Sequence, residues 1–162
     1  MASRFTLQVD FVSKDRPPIL PLIVANVVNQ SNSNAITIEQ GEPGSEPLLK
    51  EDGSTKEWKG NLEAASELGS IFAGSTSLWG KSAEQSAEIQ KYYQGAQSIV
   101  SASFQDIFAL IDELDQHLAL RTFLVGHSFT AADAATYAAM RTNAAALGLT
   151  KKGLPKHMVR WF

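Results

Sequence analysis

The sequence contains no cysteine, which excludes disulfide bonds, thiolate metal sites and cysteine nucleophiles. It also lacks an excess of positive charge: 14 basic and 17 acidic residues give a net charge of −3, which argues against a large nucleic-acid footprint. No apolar run approaches the ~20 residues that a membrane-spanning helix needs, and residues 1–7 lack the apolar segment of a signal peptide. We therefore expect a cytoplasmic protein with no membrane contact.

The sequence also lacks a metal or phosphate motif. His117, His127 and His157 are far apart and show no metal-ligand spacing. The two Gly-Ser pairs, at residues 44–45 and 74–75, have neither the spacing nor the lysine of a phosphate-binding loop. We therefore predict no metal and no cofactor.

The first third of the chain predicts a β-α-β arrangement. Residues Phe5 to Val12 alternate between apolar and polar, which is typical of a half-buried strand. Ile19 to Val28 is apolar nearly throughout and predicts a helix, although its β-branched residues leave a strand open. Ala35 to Glu39 predicts a second strand. The following residues, 41–55, predict a loop with a hairpin remnant around Pro47 to Leu49.

After this loop the apolar period changes to 3.6, so we predict helices to the end of the chain. Ser82 with Gln85, and Ser103 with Asp106, have the spacing of capping boxes. The predicted inward stripes are Trp58, Leu62, Ala65, Leu68 and Phe72 on the first helix, Ile89, Tyr93, Ala96 and Val100 on the second, and Phe104, Ile107, Phe108, Ile111, Leu114 and Leu118 on the third. Asp112, Glu113 and Asp115 lie outside the last stripe and predict a solvated face.

Residues 129–134 are the most informative stretch. Thr130 and Asp133 have the spacing of a capping box, in which each residue satisfies a main-chain N–H of the other. Phe129 and Ala134 occupy the positions of a hydrophobic staple. An alanine-rich helix then continues to Leu147, and its small side chains predict that it runs through the middle of a helical domain. We expect Asp133 to stabilise the fold and not to be catalytic.

The segment from Leu118 to Asp133 resembles the hallmark of the helical half of glutathione-transferase-like domains. The β-α-β start is similar to the thioredoxin-like half of that family in a reduced form. The resemblance implies an α+β fold, with a reduced thioredoxin-like subdomain at residues 1–72 and an all-helical subdomain at residues 80–162. The final segment, Lys156 to Phe162, looks like the start of a further helix, so we expect a fragment of a longer parent chain.

Within this superfamily, the chain resembles the N-terminal appended domain of eukaryotic cytosolic glutamyl-tRNA synthetases, those of fungi in particular. The residues that carry this resemblance lie at 114–126, 130–133, 138–143 and 159–162. Methionyl-tRNA synthetases and the elongation factor 1 gamma subunit carry similar domains, so these remain alternatives. The resemblance implies that the parent chain is a glutamate–tRNA ligase, whose catalytic signatures are absent here.

A working glutathione transferase is a further alternative. Enzymes of that family need a tyrosine, serine or cysteine near the first strand, but all three tyrosines of this chain lie in its helical half. Ser13 is the one nearby hydroxyl, and Pro47 could take the place of the family's cis-proline. No Glu-Ser pair follows Pro47 where the family binds glutathione. We therefore predict no catalytic residue and no glutathione site.

The resemblance instead implies a protein-interaction domain. Its expected partner is a related glutathione-transferase-like domain of a scaffold or tRNA-binding cofactor protein, which would form a multi-synthetase complex and bring in tRNA only indirectly. Other synthetases or a second copy of the chain remain open as partners. The partner-binding candidates are Arg160, Trp161, His127, Arg141, Tyr92 and Tyr93.

Overall fold

The computed structural model describes residues 4–12, 18–33, 35–73 and 76–162. The chain divides into two compact units, Met1–Leu78 and Trp79–Phe162. The first unit combines strands and helices, and the second is helical. The predicted α+β class, with a reduced thioredoxin-like half followed by an all-α half, is confirmed.

The first unit is built on a mixed four-stranded sheet, with strand order β2-β1-β3-β4. Strands β1 and β2 are parallel, whereas β1–β3 and β3–β4 are antiparallel. The elements are β1 (Phe5–Val9), α1 (Ile19–Ser31), β2 (Ile36–Gln40), β3 (Leu48–Glu51), β4 (Glu57–Lys59) and α2 (Asn61–Ile71). The first helix joins two parallel strands, as such a crossover requires, and it packs against α2.

The alternation of β1 places its apolar residues in the core. Phe5, Leu7 and Val9 are buried, and Leu7 pairs with Ile38 on one side and Leu49 on the other. The strand ends at Val9, so its predicted extension to Val12 was wrong. The chain turns after Val9 because the next side chain, that of Asp10, accepts a hydrogen bond from the main-chain N–H of Val12 (2.9 Å).

Residues 41–47 lead directly from β2 to β3, without a helix between them. The predicted hairpin remnant is a complete antiparallel hairpin of β3 and β4, in which Leu49 pairs with Trp58. The prediction that Trp58 begins a helical stripe was therefore wrong. Strand and helix patterns overlap here because Trp58 lies only two residues before the N-cap of α2, Gly60.

The second unit contains five α-helices and one 3₁₀ turn among its described residues. These are α3 (Ala83–Val100), α4 (Phe104–His117), the 3₁₀ turn Leu118–Leu120, α5 (Ala131–Thr142), α6 (Ala144–Lys152) and α7 (Lys156–Trp161). Both predicted caps of the earlier helices are present: Ser82 accepts from the main-chain N–H of Gln85, and Ser103 and Asp106 form a capping box. No helix within the described residues is long and apolar enough to cross a bilayer.

The central helix α5 is buried along most of its length and packs against α3. Its alanines provide the small surface that close helix packing needs. The helix ends at Thr142, so the predicted continuation to Leu147 was wrong. Asn143 interrupts it with an extended backbone and caps the separate helix α6, by accepting from the main-chain N–H of Ala146 (2.9 Å).

The stripe predicted for α4 is wider than the face that the unit covers. Ile107, Ile111 and Leu114 are buried as expected, but Phe104 and Phe108 are 51% and 56% exposed. Helical periodicity identifies apolar positions but not which of them a neighbouring helix covers. The two phenylalanines therefore belong to the outer surface of α4.

Candidate protein-interaction site

The capping residues of α5 form a buried hydrogen-bond network around Asp133, which is 2% exposed. Its Oδ2 accepts from the main-chain N–H of Thr130 (3.1 Å) and from the Thr130 hydroxyl (3.0 Å). Its Oδ1 accepts from the main-chain N–H of Leu124 (2.9 Å) and from the indole Nε1 of Trp161 (2.9 Å). A buried carboxylate needs such full satisfaction, and here it joins the 118–130 loop, α5 and α7.

Phe129 precedes this cap, and 39% of its surface is exposed to solvent. Ala134, the other residue of the predicted hydrophobic staple, is buried at the start of α5. Phe129 is thus partly available to solvent at the point where the loop enters the central helix. The capping role of this stretch is carried by the polar pair Thr130 and Asp133.

The last helix, α7, is held by a side chain from α4. Oδ1 of Asp115 accepts from the main-chain N–H groups of His157 (2.7 Å) and Met158 (2.9 Å). These first-turn N–H groups have no partner within the helix, and a carboxylate also favours the positive end of the helix dipole. The prediction of a solvated face describes Asp112 and Glu113, which are exposed, but is wrong for Asp115.

The side chain of Arg160 binds main-chain carbonyl groups at both ends of the 3₁₀ turn. Its Nη2 donates to the carbonyl oxygen of Leu118 (2.6 Å) and to that of Arg121. The residue is nevertheless exposed, so the guanidinium is fixed at the surface. Two apolar residues beside these contacts are also exposed, Leu120 at 98% and Val159 at 62%. We call Leu120, Val159 and Arg160 the Arg160 corner.

Trp161 lies next to this corner but is directed inward. Besides its hydrogen bond to Asp133, its ring lies 6.5 Å from that of Phe162, which in turn lies 5.1 Å from Tyr137 of α5. The indole therefore links α7 to the buried cap of the central helix. Trp161 is half-buried and therefore offers less surface than the exposed Arg160.

The two adjacent tyrosines of α3 differ in their surroundings. Tyr93 is 5% exposed and its ring packs on Trp79, with centroids 5.0 Å apart, so it offers little surface to a partner. Tyr92 is half-buried, 6.1 Å from the ring of His117. Burial raises the pKa of both hydroxyl groups, and the negative charge of Glu88 raises the pKa of Tyr92 further.

The raised pKa of Tyr93 predicts a loss of stability at alkaline pH. The unfolded chain releases this proton near pH 10, whereas burial keeps it bound in the folded protein to higher pH. The stabilisation is complete below pH 10 and is lost as pH rises toward the folded-state pKa, with a slope of about 1.4 kcal/mol per pH unit. Urea unfolding between pH 9 and pH 11 should show this slope.

The matched variant is Tyr93→Phe, which keeps the ring and removes the titrating hydroxyl group. Above pH 10, the free energy of unfolding of the variant should fall less steeply with pH than that of wild type, by about 1.4 kcal/mol per pH unit. Tyr92 and Tyr137 are present in both proteins and cancel in the comparison. Equal slopes in the two proteins would contradict the prediction.

His127 and Arg141 are both exposed. His127 lines a cleft of about 390 Å³ together with Gln85, Glu88, Arg121 and Phe123. Nearby, Nε2 of His117 donates to the carbonyl oxygen of Leu124 (2.8 Å), because a carbonyl can only accept. Arg121 Nη1, 3.1 Å from the same nitrogen, is then a close neighbour and not a hydrogen-bond donor to it.

The end of β1 holds a residue that the sequence did not single out. Asp10 is buried, and its Oδ2 accepts from the main-chain N–H of Gly44 (2.8 Å). Apart from Val12, the partners of Asp10 lie 30 or more residues along the chain, so no local pattern identifies its role. Ser13, the hydroxyl considered for catalysis, lies outside the described residues. The peptide bond before Pro47 is trans, so Pro47 does not take the expected cis-proline role.

The described residues contain no group of three or more histidine, cysteine, aspartate or glutamate side chains that could hold a metal ion. The polar groups brought together in the second unit are instead hydrogen-bonded pairs that join helix ends. Their arrangement fixes the relative positions of these helix ends.

Solved structures with a similar fold include glutathione transferases. Poplar glutathione transferase F1 matches 99% of this chain and 91% of its own length, with a TM-score of 0.68 and 13% identity. Glutathione transferase Xi from Phanerochaete chrysosporium gives a TM-score of 0.71 at 14% identity, over 98% of this chain and 72% of its own. The chain has a glutathione-transferase-like fold. Identities this low establish the fold alone.

Two further matches concern aminoacyl-tRNA synthetases. One solved structure comes from a study of two binary sub-complexes of the yeast aminoacyl-tRNA synthetase complex. Its chain matches with a TM-score of 0.71 and 27% identity, over 97% of this chain and 83% of its own length. A probable cytoplasmic glutamate–tRNA ligase of Schizosaccharomyces pombe is 33% identical over 60 residues, which are 37% of this chain and 8% of that protein. The predicted resemblance to fungal glutamyl-tRNA synthetase is confirmed. No protein-family model matches the sequence.

Proposed function

We propose that this glutathione-transferase-like domain is a non-catalytic docking domain of a cytoplasmic glutamyl-tRNA synthetase. Its partner is a glutathione-transferase-like domain of a scaffold or tRNA-binding cofactor protein. Docking would form a multi-synthetase complex and raise the effective concentration of enzyme and tRNA. The likeness to a chain of the yeast synthetase complex supports this proposal over nearly the whole length of the domain.

The Arg160 corner, in the predicted helical subdomain of residues 80–162, is the observation that carries the proposal. Main-chain carbonyl groups hold the guanidinium in place, so little side-chain entropy remains to be lost on binding. Leu120 and Val159, which are next to Arg121 and Arg160 in the chain, are both exposed apolar residues. An arginine within an apolar patch is the composition of an interface hot spot. Further partner-binding candidates are Trp161, His127, Arg141 and Tyr92.

Two features support a role without catalysis in this chain. The carboxylate that follows β1, that of Asp10, accepts hydrogen bonds from the main-chain N–H groups of Val12 and Gly44. The tyrosines lie in the helical unit, where Tyr93 is buried and Tyr92 half-buried. A net charge of −3 supports an indirect role toward tRNA, through the partner. A cytoplasmic location is supported by the relative from S. pombe.

Arg160→Ala tests the docking proposal. We expect the affinity for the scaffold's glutathione-transferase-like domain, measured by isothermal titration calorimetry, to fall at least about tenfold. Lys156→Ala removes another exposed cation from the same helix and should bind normally. Arg160→Lys keeps the charge but not the planar guanidinium, and it should restore only part of the affinity.

The thermal midpoint of each variant should be measured alongside its affinity, because Arg160 also satisfies two carbonyl groups. An affinity loss at temperatures well below that midpoint assigns the effect to the interface. If the wild-type domain does not bind the scaffold domain, or if Arg160→Ala binds it equally well, the proposal fails.

Catalysis by glutathione conjugation is the second candidate, favoured by the fold shared with poplar glutathione transferase F1 over 99% of this chain. Retention on glutathione resin together with conjugation of a thiol-reactive substrate would establish it. We expect neither, because no Glu-Ser pair follows Pro47, where the resemblance places the glutathione site, and all three tyrosines lie in the helical half of the chain.

A further inference from the structure

The sheet of the first unit has two edge strands, β2 and β4, because its strand order is β2-β1-β3-β4. An edge strand exposes main-chain N–H and C=O groups with which a strand of another molecule can pair. Strand β4 has only three residues, and two of them, Glu57 and Lys59, are charged. Short length and charge both disfavour such pairing. Strand β2 has five residues and a single charge, Glu39, so its edge depends on a different protection.

The hydrogen bonds at the two ends of β2 show which of its main-chain groups face away from the sheet. The carbonyl oxygen of Ala35 accepts from the N–H of Phe5 in β1. The N–H of Gly41 donates to the carbonyl oxygen of Val9, also in β1. Successive residues of a strand point their main-chain groups in alternate directions, so every second residue between these two faces outward. The outward-facing residues of β2 are Ile36, Ile38 and Gln40.

Asn29, in the last turn of α1, occupies the first of these outward positions. Its Nδ2 donates to the carbonyl oxygen of Ile36 (2.8 Å), and its Oδ1 accepts from the main-chain N–H of the same residue (2.9 Å). A side-chain carboxamide carries N–H and C=O groups like those of a peptide bond. The two hydrogen bonds are therefore the pair that a directly opposite residue of an antiparallel strand would exchange with Ile36.

We propose that Asn29 protects the free edge of β2 against strand addition. The strand that it excludes is β2 of a second copy, which every solution of the protein contains at the same concentration. With Ile36 already bonded to Asn29, an added strand can pair only with Ile38 and Gln40, so it gains fewer main-chain hydrogen bonds. The inference concerns the first unit and does not rest on the docking proposed for Arg160, which lies in the second.

Asn29→Ala tests the protection, because it leaves all three outward-facing residues open. Sedimentation velocity and thioflavin T fluorescence of the whole 162-residue chain should show β-rich oligomers at concentrations at least about tenfold lower than for wild type. Exchange of the Ile36 amide hydrogen, followed by NMR, should also become at least about tenfold faster. Asn26→Ala is the matched control, since Asn26 lies one turn earlier and its Nδ2 donates within α1, to the carbonyl oxygen of Leu22 (2.8 Å). It should leave both measurements unchanged.

Two further variants separate an open edge from a general loss of stability. Asn29→Asp keeps an acceptor for the N–H of Ile36, but its second oxygen faces the carbonyl group, so the thermal midpoint should fall. Its charge still disfavours a second strand, so the protein should remain monomeric. Ile38→Pro, added to Asn29→Ala, removes an outward-facing N–H and leaves the bonds to β1 in place. Because Ile38 is half-buried, the double variant should be less stable than Asn29→Ala and yet associate less.

Any of three results would overturn the inference. Asn29→Ala could remain as monomeric as wild type at every concentration. The double variant could associate more strongly than Asn29→Ala, which is the result that aggregation of partly unfolded molecules would give. Finally, the amide hydrogen of Ile36 could exchange in wild type as fast as that of Ile38, which would show that the bond to Asn29 does not protect this position.

Discussion

Replacement of Asp133 by alanine is expected to lower the free energy of unfolding by about 4 kcal/mol. The substitution removes the acceptor of four hydrogen bonds inside a residue that is 2% exposed. It leaves the main-chain N–H groups of Leu124 and Thr130 without a partner, and it releases the indole of Trp161. Urea denaturation followed by circular dichroism measures the loss.

Asp133→Asn keeps the shape of the side chain but replaces one of its two acceptor oxygens with an NH₂ group. An amide has one oxygen, so it can accept the pair from Leu124 and Trp161 or the pair from Thr130, and its NH₂ group then faces the other pair. We expect it to lose roughly half as much stability as alanine. Glu113→Ala, an exposed carboxylate on α4, should change the free energy by less than about 0.5 kcal/mol.

Replacement of Asp133 should also weaken docking, but only indirectly. Trp161 directly follows Arg160 in α7, so we expect its release from Asp133 to loosen the Arg160 corner. Binding by the folded fraction of Asp133→Asn should therefore fall by less than that of Arg160→Ala. If Asp133→Ala folded with unchanged stability yet failed to bind, a structural role for Asp133 would be wrong.

The helix caps could be predicted from the sequence because their partners are three residues apart. Ser103 with Asp106 has the geometry that its spacing indicates, since a capping box depends on the chain's local course. The strand β1 followed from the alternation of its side chains, although its end, Val9, did not. The contacts that complete the candidate site could not be predicted in this way. Asp115 reaches α7 across 42 residues, and Trp161 reaches Asp133 across 28.

The errors share a physical cause. A 3.6-residue period placed Trp58 on a helix and Phe104 in the core, since it registers apolar spacing and not the surface that a neighbour covers. Trp58 instead pairs across a hairpin whose strands are only three and four residues long. The exposed phenylalanines of α4 became visible only when the helices around them were placed.

Asn143 is the residue whose role the sequence concealed most fully, and its replacement carries the second large effect. The alanine-rich run around it predicts an unbroken helix, yet the side chain is 4% exposed and joins three helices. Its Oδ1 caps α6, while its Nδ2 donates to the carbonyl oxygens of Ile99 (2.9 Å) and Ala102 (3.0 Å) at the junction of α3 and α4.

We expect Asn143→Ala to lower the free energy of unfolding by about 3 kcal/mol, because it removes the cap of α6 and the part-buried hydrogen bonds from Nδ2 to the main-chain carbonyl groups between α3 and α4. Asn143→Asp keeps the cap acceptor, but its second oxygen faces the same carbonyls, so aspartate should be more destabilising than alanine. Asn26→Ala, at an exposed asparagine of α1 that bonds only within its own helix, is the control and should cost less than about 1 kcal/mol. Chemical denaturation of the three variants orders them, and an aspartate variant more stable than the alanine variant would show that the carbonyl contacts of Nδ2 contribute little.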